Sequence, residues 1–118
     1  MSTSKIISGQ TGEEKAKNFL LNLGYQILKT NYHSAYGEID IIAQDQEELV
    51  FVEVKTRAKD PETAFSSVSR SKQRKLVKTA ANFLARNPQY QESFTRFDVI
   101  AVINKTSEII HLKDAFTP

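Results

Sequence analysis

Residues 37–57, GEIDIIAQDQEELVFVEVKTR, decide the fold. Two runs rich in β-branched and other apolar residues, Glu38–Ala43 and Leu49–Lys55, flank the polar segment Asp45–Glu48. This pattern predicts a β-hairpin whose loop is the four-residue segment Asp45–Glu48. One face of the hairpin is expected to be buried and to carry Ile39, Ile41, Val50, Val52 and Val54.

The other face of this hairpin gathers charged side chains. A loop of that length places Asp40 opposite Glu53 and Glu38 opposite Lys55. Two carboxylates opposite each other, with Cβ atoms about 5 Å apart, repel unless a cation offsets them. Mg²⁺ suits such a pair because it takes hard oxygen ligands and completes its octahedron with water and phosphate oxygens. Ordinary cross-strand ion pairs are the alternative, since they are common on protein surfaces.

Three further groups are predicted to adjoin that cation. Lys55 follows Glu53 by two residues on the same strand face, where its ammonium would orient a water molecule and stabilise charge on phosphorus. The carbonyl of Val54 is a candidate additional ligand. Glu13 lies at the edge of the apolar stripe of a predicted first helix, so it is a candidate to bind metal through water or to hold a second ion.

The rest of the chain predicts two helices and three more strands. A capping box at Thr11 and a stop at Gly24 bound the first helix, and apolar periodicity predicts a second helix from about Ser69 to Arg86. The further predicted strands are Tyr25–Thr30, Arg96–Ile103 and Glu108–Lys113. The order α-β-β-β-α-β-β predicts an α/β fold with helices packed around a mixed sheet.

Length and composition indicate one domain. The chain has 118 residues, of which 40% are hydrophobic and 25% charged. We expect residues 1–10 to be a flexible N-terminal segment and residues 11–118 to form the domain. Cysteine is absent, which excludes a disulfide scaffold, a zinc ribbon and a thiolate nucleophile. No signal peptide and no apolar run near about 18 residues is found, so we expect a cytoplasmic protein without a membrane partner.

Basic residues are concentrated in one segment, although the formal net charge is only +2. Eight of the sixteen Lys and Arg residues lie in that segment, against two acids: Lys55, Arg57, Lys59, Arg70, Lys72, Arg74, Lys75 and Lys78. Lys and Arg in such a run supply sequence-independent contacts to phosphates. A solvated helix face is the alternative. Tyr36 precedes the second strand, where it would stack on an exposed base or pack on the domain.

The hairpin residues resemble a known motif. Gly37-Glu38-Ile39-Asp40, with Glu53-Val54-Lys55 in the run 51–57, resembles the Asp…(Asp/Glu)-X-Lys motif of the restriction-endonuclease-like nuclease superfamily. From about Gly9 to Val102 the chain is similar to the bacterial YraN family, which is assigned to that superfamily. The resemblance implies a three-layer core, with Asp40 and Glu53 as metal ligands, Lys55 as the catalytic lysine, Glu13 as a helix-borne carboxylate and Gln73 as the helix glutamine of junction-resolvase-like branches.

The expected function is therefore Mg²⁺-dependent hydrolysis of DNA phosphodiester bonds, with Mn²⁺ as a substitute metal. Branched, repair or recombination intermediates are the substrates that the resemblance implies, and a homodimer would place two sites on two strands. A non-catalytic DNA-binding module of the same fold and a purely structural domain are the alternatives. Gln73 has its own alternative, a hydrogen bond to a strand end. Arg96 and Asp98 are expected to form a structural pair.

Overall fold

Five strands form one mixed sheet in the computed structural model, which describes residues 11–118. The expected flexible segment, residues 1–10, lies outside the described residues. Within the described chain the elements are α1 (Gly12–Asn22), β1 (Gln26–Ser34), β2 (Gly37–Asp45), β3 (Glu48–Arg57), α2 (Pro61–Ser66), α3 (Arg70–Arg86), a 3₁₀ turn (Pro88–Tyr90), β4 (Phe94–Ile103) and β5 (Glu108–Phe116). The predicted α/β class is confirmed, and the arrangement is compatible with a restriction-endonuclease-like three-layer core.

The β2–β3 hairpin has the predicted register but a shorter loop. Ile41 pairs with Val52 and Asp45 pairs with Glu48, so both strands continue to the turn. Only residues 46 and 47 remain in that turn, and Gln46 adopts a positive φ of 56°. The predicted four-residue loop was therefore wrong, because the terminal pair Asp45/Glu48 extends the ladder and a tight turn closes it.

The alternation of side chains along β2 changes at Asp40. Ile41 packs on the α1 side of the sheet, whereas Ile39 packs on the α3 side with Leu76. The prediction that Ile39 and Ile41 share one buried face was therefore wrong for Ile39. The backbone ladder between β2 and β3 runs only as far as Ile41/Val52, so beyond that point β2 is paired with β1 alone.

Strand β1 is longer than the predicted Tyr25–Thr30 and continues through residues 31–34. Tyr32 pairs with Ile39 and Ser34 pairs with Gly37, so the polar and aromatic residues of this segment form a ladder with β2. Strands β4 and β5 also extend beyond their predicted ends, to Phe94 and Phe116. Cross-strand pairing determines where these strands end, and the amino-acid composition of the segments predicts that pairing only weakly.

The parallel pairing of β3 with β4 requires a crossover, which contains α2 and α3. Helix α2 was not predicted, because its six residues are too few for a helical period to be recognised. Its sequence signal is Asp60-Pro61: the Asp60 carboxylate accepts a hydrogen bond from the Glu62 N–H at 3.0 Å, and Pro61 occupies the first helical position. Ala64 anchors the helix on the sheet.

Apolar side chains fill both sides of the sheet. Leu76 and Phe83 of α3 pack with Phe51 on one side, and Leu20 of α1 packs with Val52 on the other. Each large apolar side chain buried in this way contributes about 1.5–3 kcal/mol. None of the helices in residues 11–118 has the length and apolar character to cross a bilayer.

Candidate metal and nucleic-acid site

An open pocket of about 350 Å³ lies between β2, β3 and the first turns of α3. Asp40 and Glu53 line it from the sheet, and Lys72 and Lys75 line it from the helix. Ser69 fixes the start of α3 because its hydroxyl accepts a hydrogen bond from the Lys72 N–H at 3.2 Å. The fold thus brings the two predicted metal ligands together with two of the predicted DNA-binding lysines.

Asp40 is held against β3 by the backbone. The Val54 N–H donates to Oδ2 of Asp40 at 2.7 Å. Burial raises the pKa of Asp40 to about 7, and the neighbouring charge of Glu53 adds to the rise, while the hydrogen bond from Val54 opposes it. Two closely spaced carboxylates of this kind fit a hard divalent cation, because the cation removes the repulsion that otherwise keeps a proton on Asp40. The carbonyl of Val54 stays a predicted ligand.

Glu53 is buried and is neutralised by two ammonium groups. Its Oε2 lies 2.7 Å from Nζ of Lys72 and 3.4 Å from Nζ of Lys55. Burial lowers the pKa of Lys55, and the adjacent ammonium of Lys72 lowers it further, against the opposing charge of Glu53. Lys72, predicted to contact DNA, therefore contacts the predicted metal ligand Glu53 in this structure.

Glu38 and Glu13 lie at the same end of the sheet. Glu38 pairs across β1 with His33, 3.6 Å away, and the β2–β3 ladder does not extend to the predicted Glu38/Lys55 pair. Burial raises the pKa of Glu13; a hydrogen bond with Asn31 opposes this, while the charges of Glu38 and Glu53 add to it. Asn31 was not predicted as a site residue.

Three carboxylates line the pocket, Glu38, Asp40 and Glu53, and two of them, Asp40 and Glu53, are the predicted metal ligands. Within residues 11–118 no group of three or more acidic or histidine side chains is placed to hold a metal ion. Glu13 therefore stays a predicted ligand through water or for a second ion. The Asp40–Glu53 pair is the part of the predicted donor set that the described structure brings together.

Gln73 lies away from this pocket. Its Nε2 donates to the carbonyl of Val68 at 3.1 Å, and its side chain lines a second groove together with Val77 and Phe116. This contact matches the structural alternative for Gln73, although its partner precedes the helix and is not a strand end. A catalytic role for Gln73 stays a prediction.

The exposed face of α3 carries most of the predicted phosphate contacts. Arg70, Arg74, Lys75 and Lys78 are solvent-exposed, and Nζ of Lys78 lies 5.4 Å from the centroid of the exposed Tyr36 ring. Arg57 and Lys59 belong to a different region, where the N–H groups of Asn104 and Lys105 donate to the carbonyls of Arg57 and Ala58. Tyr36 thus joins the basic helix face, and Arg57 and Lys59 do not.

A buried charge cluster occupies the opposite end of the sheet. Arg96 donates through Nε to Asp98 at 3.0 Å, through one terminal nitrogen to Glu48 at 2.6 Å and through the other to the Tyr25 hydroxyl at 2.6 Å. Nε2 of His111 lies 2.7 Å from Oδ2 of Asp98. The expected Arg96–Asp98 pair is confirmed, but its links to Tyr25, Glu48 and His111 were missed, because they join four separate segments of the chain.

Comparison with known proteins decides the family. The sequence profile of "Uncharacterised protein family UPF0102" matches residues 12–102, which include Glu13, Asp40 and Glu53. The chain belongs to the UPF0102 family. The match confirms the predicted family, because UPF0102 is the family that was named YraN in the sequence analysis.

Relatives in the UPF0102 family match over most of the chain. A UPF0102 protein of Persephonella marina is 40% identical over 114 residues, covering 93% of each chain. A UPF0102 protein of Sulfurihydrogenibium sp. (strain YO3AOP1) is 42% identical over 114 residues, covering 96% of each. One from Acinetobacter baumannii (strain AYE) is 45% identical over 93 residues, covering 78% of this chain and 70% of the relative.

Proposed function

We propose that this UPF0102 protein is a cytoplasmic, Mg²⁺-dependent nuclease that hydrolyses phosphodiester bonds in DNA, with branched, repair or recombination intermediates as substrates. The Asp40–Glu53 pair carries the proposal. Asp40 and Glu53 line one pocket and Glu53 is buried, so the repulsion between the two carboxylates lowers the stability of the fold unless a cation offsets it. Charged groups that are kept together although they lower the stability of the fold are typical of a functional site.

Asp40 and Glu53 are the residues that would hold Mg²⁺, and Mn²⁺ is expected to replace it. When bound, such an ion lowers the pKa of a coordinated water and offsets charge on a phosphate. The hydrogen bond from the Val54 N–H keeps the Asp40 carboxylate oriented toward β3. This backbone contact positions the ligand without a flexible side chain, as a preformed site requires.

Lys55 is the group suited to act on the substrate. Its ammonium is mostly buried, lies 3.4 Å from Glu53 and has a lowered pKa because of burial and the proximity of Lys72. A partly desolvated ammonium stabilises developing negative charge more strongly than a fully hydrated one. Lys55 would therefore donate a hydrogen bond to a phosphate oxygen or to the attacking water.

The exposed face of α3 would bind the DNA backbone. A shallow hollow lined by Tyr36, Arg74, Lys75 and Lys78 lies directly beside the pocket of Asp40 and Glu53, which we call the catalytic pocket. Contacts of this kind neutralise phosphates without reading bases. Nucleic-acid affinity should therefore fall steeply with salt, and a homodimer would present two such faces.

Cleavage assays test the proposal. Labelled duplex, single-stranded, flap and four-way-junction DNA would be incubated with the protein and Mg²⁺ or Mn²⁺. We expect cleavage of at least one substrate, and we expect Asp40→Ala and Lys55→Ala each to reduce its rate by about a hundredfold or more. Glu47→Gln, in the hairpin turn at the far end of β2, is the matched control. Absence of cleavage on every substrate, or cleavage that survives both substitutions, would refute the nuclease.

A non-catalytic DNA-binding module is the second candidate function. The contact of Lys72 and Lys55 with Glu53 favours it, because two ammonium groups already neutralise that carboxylate without a metal ion. Calorimetric titration with Mg²⁺ and DNA binding in EDTA separate the two candidates. DNA binding that is independent of metal and unchanged by Glu53→Ala, together with no measurable Mg²⁺ binding, would favour the module.

A further inference from the structure

A second groove, larger than the catalytic pocket, lies between α3 and the end of β5. Its volume is about 590 Å³. Val77 and Phe116 supply apolar lining, and Arg70, Arg74 and Lys78 supply positive charge. None of these five residues has been given a catalytic role above, and Val77 and Phe116 are not explained by phosphate binding.

This groove adjoins the shallow hollow beside Tyr36, and that hollow adjoins the catalytic pocket. Arg74 and Lys78 line both the groove and the shallow hollow beside Tyr36. Ser71 and Lys75 line both that hollow and the catalytic pocket. The three depressions therefore lie next to one another on α3, and basic side chains line each of them.

The groove has the chemistry of a site for an anion that also presents an apolar surface. The ring of Phe116 is stacked on Phe97, with centroids 5.0 Å apart, so the groove wall is held by the core. Three cations beside an apolar wall complement a nucleotide, whose phosphate is charged and whose base has a flat apolar face. In a duplex the bases are stacked inside the helix, so an unpaired base alone can reach Val77 and Phe116.

We propose that this groove binds an unpaired nucleotide of the strand that enters the catalytic pocket. The inference rests on the proposed function, and it narrows the substrate class to DNA with a single-stranded segment next to the cleaved bond. Gln73, whose amide is fixed by the Val68 carbonyl, lies in the same groove, where amide groups suit the hydrogen-bonding edge of a base.

Binding measurements in EDTA test this assignment without cleavage. The anisotropy of a fluorescein-labelled single strand and of a blunt duplex of the same length would be measured with the full chain. Val77→Glu places a carboxylate in the groove. Ala81→Glu is the matched control, because Ala81 is exposed one turn further along α3 and does not line the groove. Thr117→Glu is a second groove variant, at an exposed residue outside the helices and strands.

We expect both groove variants to weaken single-strand binding by about tenfold or more, the loss of roughly one stacked base, and Ala81→Glu to weaken it much less. Duplex affinity should fall by a similar small factor in all three variants. Equal effects of Val77→Glu and Ala81→Glu on the single strand would overturn the assignment, as would equal losses for duplex and single strand in the groove variants.

Three more outcomes separate this inference from others. If a glutamate–tyrosine copolymer binds the wild type and loses affinity with Val77→Glu while single-strand binding does not change, the groove is a peptide site and the assignment is overturned. If the wild type binds no nucleic acid, both this inference and the proposed function fail. If DNA is cleaved but the groove variants bind single strands normally, the groove assignment fails alone.

Discussion

The ammonium of Lys72 lies 2.7 Å from the buried carboxylate of Glu53. The two residues come from different layers: Glu53 from the central strand β3, and Lys72 from the first turn of α3. A helix side chain therefore forms an ion pair with the carboxylate that a metal ion would also bind. Any metal ion held by Glu53 has to compete with a cation that the fold itself supplies.

Lys72→Ala is expected to increase the affinity of the protein for Mg²⁺ and Mn²⁺. Removing the ammonium leaves Glu53 with Lys55 alone, so the carboxylate gains more from a metal ion; about fivefold tighter binding corresponds to a pair worth about 1 kcal/mol. Calorimetric titration with Mn²⁺, without DNA, measures this directly. Lys75→Ala, in the same pocket and without a contact to Glu53, should change the affinity little. Unchanged or weaker metal binding in Lys72→Ala would contradict the competition.

The register of the β2–β3 hairpin could be predicted because two local signals agreed. Alternating apolar residues and a short polar turn placed Asp40 near Glu53, and the structure has the same register even though the turn has only residues 46 and 47. Each of these signals acts over a few residues, so a sequence contains all the information that the pairing requires.

The position of Lys72 could not be predicted in the same way. Its charge indicated a surface contact, and the start of α3 near Ser69 was predicted. Its place on Glu53 depends on how the crossover through the unpredicted helix α2 sets α3 against the sheet. The Arg96 cluster shows the same limit, because Tyr25, Glu48 and His111 meet it from three other segments. Long-range contacts of polar groups leave no periodic signal in a sequence.

Asp98→Ala is expected to lower the free energy of unfolding by about 3 kcal/mol or more, because it leaves the buried guanidinium of Arg96 without its main partner. Chemical denaturation at pH 7 measures the loss. Asp45→Asn is the matched control: Asp45 contacts the same guanidinium at 3.2 Å but is more exposed, so a loss below about 1 kcal/mol is expected. Similar losses of unfolding free energy in Asp98→Ala and Asp45→Asn would show that burial does not determine how much each carboxylate contributes to stability.

The pKa of Asp98 predicts how the stability of the fold changes in acid. Burial alone would raise the pKa of Asp98, but hydrogen bonds from His111, Arg96 and the Asp114 N–H outweigh it, and the pKa is lowered. A carboxyl with a lowered pKa stabilises the fold above its unfolded pKa of about 3.9 and loses that contribution as pH falls through its folded value. Denaturation curves between pH 7 and about pH 2 should show a loss below about pH 4 that is absent in Asp98→Ala.

Gly12→Ala is expected to destabilise the contact between α1 and β3. A Cβ at residue 12 would lie 2.0 Å from Oγ1 of Thr56, and the β-branched threonine has few other rotamers. We expect a loss of about 1–3 kcal/mol, which Thr56→Ala should largely relieve in the double variant. Thermal unfolding of the two single variants and the double variant measures the coupling. Strictly additive effects would show that the first turn of α1 does not depend on this close approach.

Asp40→Asn is expected to stabilise the metal-free protein, and only at higher pH. Burial and Glu53 raise the pKa of Asp40 to about 7, so the folded protein binds more protons than the unfolded chain between about pH 4 and pH 7, and its stability falls as pH rises through this range. An amide at residue 40 keeps an acceptor for the Val54 N–H and offers Glu53 a donor. In EDTA the free energy of unfolding of the variant should therefore rise on the order of 1–2 kcal/mol at pH 8 and little at pH 5.

Asp114→Asn, at an exposed position in β5, is the control for loss of one negative charge. A gain that does not depend on pH, or a lower stability at pH 8, would show that Asp40 is not strained by its neighbour. A gain at pH 8 would mean that Asp40, the carboxylate that we propose binds the metal ion, is kept at a cost to the stability of the fold.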